Sequence, residues 1–294
     1  MEEAERLLQE RSLIRFQVSL LESRDWIVRN DAAQILGKIG NASAVPDLIK
    51  RLKDTSRGVR ISAIEALGRI ASERSQPALL MSLKTGSSYE KGAAATAITR
   101  SGSPSVLPHL FLALETEDAY VRFCIIEGLG NIKSESTISV LKKALNDPEI
   151  EVQRVALWSL FNCEADIDLA TINAILAGEK DDHFLKWMIL EILCFIKKKA
   201  ALPVVKQQLK SREPLLGFLA AVVIAKMGDN STVPILLDAL TGKCEYEKLR
   251  AIEALGDLGD KSVTPRLIKA LEKEDTPAGV YYSTVAGFMR RIVA

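Results

Sequence analysis

Val28-Arg29-Asn30-Asp31-Ala32-Ala33-Gln34-Ile35-Leu36-Gly37-Lys38-Ile39-Gly40, followed shortly by Val45-Pro46-Asp47-Leu48-Ile49-Lys50-Arg51-Leu52, decides how the rest of the chain is read. Ala32, Ile35, Leu36 and Ile39 fall three and four residues apart, the period of an amphipathic helix, here called A. Gly40 stands just past that stripe, where a helix closes on a left-handed residue. Ser43 and Pro46 then open a second helix, B. Serine is a strong N-cap, and proline suits the first turn because the N–H it lacks would have no partner there. Leu48 and Leu52 begin the core stripe of B. So short a connection makes A and B antiparallel neighbours.

The stretch recurs. Adding 31 to Val28-Arg29 and Gly37 gives Val59-Arg60 and Gly68, and 62 more gives Val121-Arg122 and Gly130. The copy between is degenerate, with Glu90-Lys91 in place of Val-Arg and Thr99 in the glycine place. Val152-Gln153 comes next; one step of 33 reaches Leu185-Lys186, and the step of 31 resumes at Leu216-Gly217 and Glu247-Lys248. Six of the ten prolines (46, 77, 108, 203, 234, 265) share one column, and serines recur at 43, 105, 136, 231 and 262. A lone hairpin cannot bury both its faces, whereas stacked hairpins bury a continuous core.

The expected fold class is all-α: an alpha-alpha superhelix, or α-solenoid, of about eight helical hairpins of ~31 residues. Residues 1–22 are expected to form an N-terminal cap helix with an acidic, solvated outer face. Residues 23–275 form eight A/B hairpins and 276–294 a terminal helix, all in one array without a Pro-, Gly- or Ser-rich linker.

Composition narrows the function classes. Lys plus Arg is 39 against 38 for Asp plus Glu, so a net charge of +1 gives no whole-molecule attraction to nucleic acid or acidic membrane. Met1-Glu2-Glu3-Ala4-Glu5 lacks the basic-then-apolar order of a secretory signal, and no apolar run approaches the roughly 20 residues that span a bilayer. Cys124, Cys163, Cys194 and Cys244 form no C-x-x-C pair and read as buried thiols of a reducing cytosol. With His109 and His183 as the only histidines, a multi-histidine metal centre is excluded. No Gly-rich phosphate loop, Ser-His-Asp set or metal-spaced Cys set is visible.

The motif Val-Arg-x-x-Ala-x-x-Ile/Leu-Leu-Gly-x-Ile-Gly, then Ala-Val-Pro-x-Leu-Ile-x-x-Leu, resembles the short HEAT-like repeat of phycobilin lyase subunits, over nearly the whole chain. Asp54 and Arg60 also match the family's Asp-to-Arg spacing of six, which implies an inter-repeat ladder; Asp147 faces Gln153, so the ladder is partial. The resemblance includes di-iron hydroxylases, but this chain lacks their His-Glu pairs. It includes DNA glycosylases, for which Trp158 and Trp187 near Asp181, Asp182 and Glu191 are the nearest counterpart; the plainer reading is that these tryptophans fill the packing around the two-residue insertion.

In this family the B helices line the concave face. Positions five before, two before and one after the core leucine then face the groove, which gives Met81, Lys84, His109, Leu112, Val140, Lys143, Val204, Gln207 and Ile235 as partner-binding candidates. Its middle is apolar and its ends charged. An exposed apolar band with a polar rim is a binding surface; tight curvature would instead bury these residues between neighbouring B helices. The expected function is a non-catalytic, cytoplasmic interaction scaffold or adaptor that holds a protein partner in its concave groove, without cofactor. The alternative is a bilin lyase or isomerase type of subunit, with Lys84, Lys143 and Lys210 facing the propionates of an open-chain tetrapyrrole. Nucleic-acid binding or repair comes third.

Overall fold

The computed structural model describes residues 2–100, 102–116, 118–177, 183–196, 199–259 and 263–265. Among them all regular structure is helical: sixteen α-helices and five short 3-10 turns, with no strand. They fall into two compact units, Met1–Asp166 and Ile167–Ala294, whose boundary lies within the 33-residue step. The first holds α1 (Glu2–Leu20), α2 (Trp26–Ile39), α3 (Val45–Arg51), α4 (Arg57–Ile70), α5 (Gln76–Thr85), α6 (Ser88–Thr99), α7 (Leu107–Ala113), α8 (Ala119–Leu129), α9 (Glu135–Ala144) and α10 (Ile150–Asn162). The second holds α11 (Leu169–Ala177), α12 (His183–Ile196), α13 (Leu202–Gln208), α14 (Pro214–Lys226), α15 (Val233–Ala239) and α16 (Glu245–Leu258). Leu267 and Leu271 of the last B helix, and the expected terminal helix 276–294, lie outside the described residues.

Even-numbered helices are the A helices and odd-numbered ones the B helices. Successive A helices lie side by side, α2 on α4, α4 on α6, α6 on α8, and each of α1, α3 and α5 packs on the A helix that follows it. The core of the first unit is one continuous cluster running from Ile14 and Leu21 through Leu36, Leu67, Ile98 and Leu129 to Leu160. Each fully buried leucine contributes roughly 1.5–3 kcal/mol of transfer free energy.

Turn chemistry follows the sequence with one shift. Gly40, Gly102, Gly228 and Gly259 all have φ between +65° and +88°, the left-handed closure expected at those places. The prolines Pro46, Pro77, Pro108, Pro203 and Pro234 sit in the first turn of their B helices. The cap itself is not the serine column. A 3-10 turn precedes each of these B helices, and before α3, α5 and α15 the capping side chain belongs to the residue that opens that turn: Asn41 and Asp229 accept from the backbone N–H of Ser43 and Ser231. Ser72 caps Arg74 in the same way.

The glycine column has a steric cause. A Cβ on Gly37 would stand 2.7 Å from Cα of Ala66, and one on Gly68 2.7 Å from Cα of Ala97, so neighbouring A helices cross with glycine on alanine. Where Thr99 takes the glycine place, the facing column changes from alanine to Gly128, whose missing Cβ leaves room for the threonine side chain. The degenerate copy is therefore compensated in the next helix.

The ladder is real but joins other partners than the spacing of six implies. Arg29 donates through Nε and Nη2 to both carboxylate oxygens of Asp54, 25 residues on, and Arg122 does the same to Asp147. The spacing of six is a side chain-to-backbone bond: Arg60 Nη1 donates to the Asp54 carbonyl, and Gln153 Nε2 donates to that of Asp147. Thr85 holds the acid place opposite Arg60, and Glu90 supplies the carboxylate from the next A helix, 2.5 Å from Arg60 Nε.

Candidate functional site

In the first unit α5 and α7 lie next to each other with their outward faces unequal to the rest of the molecule. Met81 is 59% exposed and Leu112 67%, the most exposed large apolar side chains among the described residues. The reason is local. Both helices are short, carry a proline in the first turn, and use Leu79, Leu83, Leu107 and Leu110 for the core, which leaves the opposite stripe to Met81 and Leu112. Between them a hollow of about 500 Å³ opens, floored by Leu80, Leu83 and Ala113 and edged by Lys84, His109 and Glu115. That volume lies in the range of sites that enclose an anchoring side chain or small ligand.

The site thus brings together four of the nine candidates, Met81, Lys84, His109 and Leu112. Val140 and Lys143 are on α9, half-buried and exposed respectively, and do not line this hollow. In the second unit Gln207 is exposed and Ile235 is 42% exposed. Val204 is corrected: at 7% exposure it belongs to the core, because α13 packs against α11 and α14 and Gln208 Nε2 donates to the Leu176 carbonyl at its end. There the burying alternative holds.

Two polar lining residues escaped the column reading, Lys91 at the start of α6 and Thr116 in the turn before α8. Both belong to the ladder columns, and the signal that could have found them is the joint loss of arginine at 91 and of acid at 116. A second hollow, about 430 Å³, lies on the A-helix side, where Gly92, Ala93 and Thr96 leave α6 low between Tyr89, Tyr120, Arg69 and Arg100. Arg57 stacks over Tyr89, and Arg69 is paired with Glu65. It exposes less apolar surface and no unpaired deep cation.

Of the remaining sequence candidates, Asp181 and Asp182 lie outside the described residues. Glu191 does not face open space; it accepts from Arg250 Nη2 at 2.6 Å and from the Tyr246 hydroxyl at 2.5 Å, so α16 reaches across to α12. Burial first, and Glu191 second, push Tyr246 up to about 12. Burial likewise raises the Cys194 thiol to about 11, which leaves it protonated and unreactive. Cys124 and Cys163 are buried as expected, but Cys244 is exposed. Trp158 is also corrected. It is 51% exposed and lies against Phe161, so it fills no core space. Among the described residues no three His, Cys, Asp or Glu side chains gather as a metal site requires, and no helix is long and apolar enough to cross a membrane.

Comparison with known proteins agrees with this architecture. The family described as HEAT repeats matches residues 15–97 and 82–160, and the family described as PBS lyase HEAT-like repeat matches residues 248–273. No curated protein matches the chain in sequence. The X-ray structure of the Escherichia coli protein YibA aligns over 97% of this chain and 95% of its own, at 18% identity and a TM-score of 0.53, a likeness of fold. The CpcE–CpcF complex of phycocyanin lyase from Nostoc sp. PCC7120 aligns over 88% of this chain and 92% of its own, at 19% identity and a TM-score of 0.47.

Proposed function

The chain is a HEAT-repeat protein with repeats of the PBS lyase HEAT-like kind, and from that premise we propose that it is a non-catalytic scaffold that holds a protein partner on its B-helix face. The observation that carries this reading is the pair Met81 and Leu112, exposed on either side of an apolar hollow. Exposing two large apolar side chains around a cavity costs hydration free energy that a partner recovers on docking. Lys84 and His109 at the edge form no ion pair with a described residue, which fits a polar rim around an apolar centre. The scaffold reading needs no reactive group, and Glu191, Cys124, Cys163 and Cys194 are engaged or buried.

A photoactivatable cross-linker placed at position 112 tests it. In native lysate it is expected to capture a discrete partner that the same group at exposed position 158 does not capture. Equal capture at both positions, or none at 112, contradicts the reading. A scaffold of this kind also leaves the visible absorbance of an added open-chain tetrapyrrole unchanged.

A further inference from the structure

The hollow at α5 and α7 coincides with a rung of the first unit's ladder that has lost its acid and found no replacement among the described residues. In the first unit the arginine column reads Arg29, Arg60, Lys91, Arg122, and the acid column 25 residues ahead reads Asp54, Thr85, Thr116, Asp147. Arg29 and Arg122 meet their aspartates directly. Arg60, which faces Thr85, is rescued by Glu90. Lys91 faces Thr116 and has no substitute, for Val121 stands where Glu90 stands one repeat earlier. Lys91 acts electrostatically on Asp118, but that carboxylate already accepts from the Ser88 hydroxyl and from the backbone N–H groups of Tyr120 and Val121. Lys91 forms no ion pair with a described residue, is half-buried, and lines the hollow together with Thr116.

We infer that the partner segment bound in this hollow supplies the missing carboxylate: an apolar side chain inserts between Met81 and Leu112, and a neighbouring Asp or Glu of the same segment pairs with Lys91 and Lys84. The inference rests on the protein-binding reading above and adds the chemistry of the occupant. Charge complementarity carries it. Among the described residues the hollow is edged by the cations Lys84 and Lys91 against one carboxylate, the exposed Glu115. A half-buried ammonium gains most from an anion that arrives in the same desolvated place, and the ladder shows what this fold does with a cation there whenever a carboxylate is within reach.

The exchange of Thr116 for Asp offers a direct test, because it returns the carboxylate to the ladder and lets the chain satisfy Lys91 itself. The probe is an acetylated, amidated peptide with two leucines four apart between glutamates, compared with its glutamine counterpart by fluorescence anisotropy. The wild-type chain is expected to bind the glutamate peptide about fivefold tighter or more. Lys91→Gln and Thr116→Asp should each bring the two peptides to equal affinity, with Thr116→Asp raising the melting temperature and Thr116→Asn leaving the preference intact. Equal binding of both peptides by the wild-type chain overturns the inference but leaves the groove reading standing, provided Leu112→Asp abolishes both. Binding of neither peptide at concentrations on the order of 1 mM, where even weak docking registers, overturns both together. A preference for glutamate that survives Lys91→Gln also overturns the inference.

Discussion

Arg29 and Asp54, 25 residues apart on successive repeats, meet through two hydrogen bonds, Nε to Oδ2 at 2.8 Å and Nη2 to Oδ1 at 2.7 Å. The same arginine donates through Nη1 to the carbonyls of Ser23 and Arg24, so one side chain ties three backbone segments. Such a buried pair is worth little against an apolar substitute but much once one partner is removed.

Asp54→Ala is therefore expected to cost about 3 kcal/mol, because it strands the buried Arg29 guanidinium. The hydrogen bond from Arg29, above all, holds the Asp54 carboxyl below its ordinary range. Its stabilisation is thus full above the ordinary aspartate value and is lost as pH falls through the lower folded value. Urea unfolding followed by hydrogen exchange in residues 26–60 measures the cost, and the acid limb of the stability curve should flatten in the variant.

Thr99 and Gly128 form a compensated pair. Gly128→Ala should cost about 1–3 kcal/mol by overpacking against Thr99. Thr99→Gly should recover most of it, and a double-mutant cycle reads the coupling. Additive costs would contradict the steric account.

Tyr246, pushed up to about 12 by burial and by Glu191, makes the second unit sensitive to alkali. The raised value means that the folded state holds its proton more tightly than the unfolded chain does. The contribution is complete below about pH 10 and is lost as pH rises toward 12. Tyr246→Phe should remove that alkaline decline in a thermal melt without steepening the acid side.

The repeat, the helix stripes and the left-handed glycines were legible because each is a local, periodic constraint. The cap was not, since the 3-10 turn that moves it from Ser43 to Asn41 leaves the same residue types in the same few places. The ladder spacing was legible but its partners were not, because Asp54 serves Arg60 through its carbonyl and Arg29 through its carboxylate. Column counting found Met81, Lys84, His109 and Leu112 together, since α5 and α7 keep the 31-residue register. It failed at Val204, where the copy after the 33-residue step packs its B helix between two neighbours, a tertiary circumstance that no single column encodes.

The central claim is that the exposed apolar pair on α5 and α7 is a binding surface and not a loosely packed core. Calorimetric titration of the cross-linked partner, once purified, into wild-type chain and into the Met81→Asp/Leu112→Asp double variant tests it most directly, with circular dichroism melts alongside. Because both side chains are exposed, the variant should melt within about 0.5 kcal/mol of wild type in stability. Its affinity should fall by about a hundredfold or more, since each new carboxylate would be desolvated in the contact. A variant that unfolds, or one that keeps its fold and its full affinity, would contradict the account.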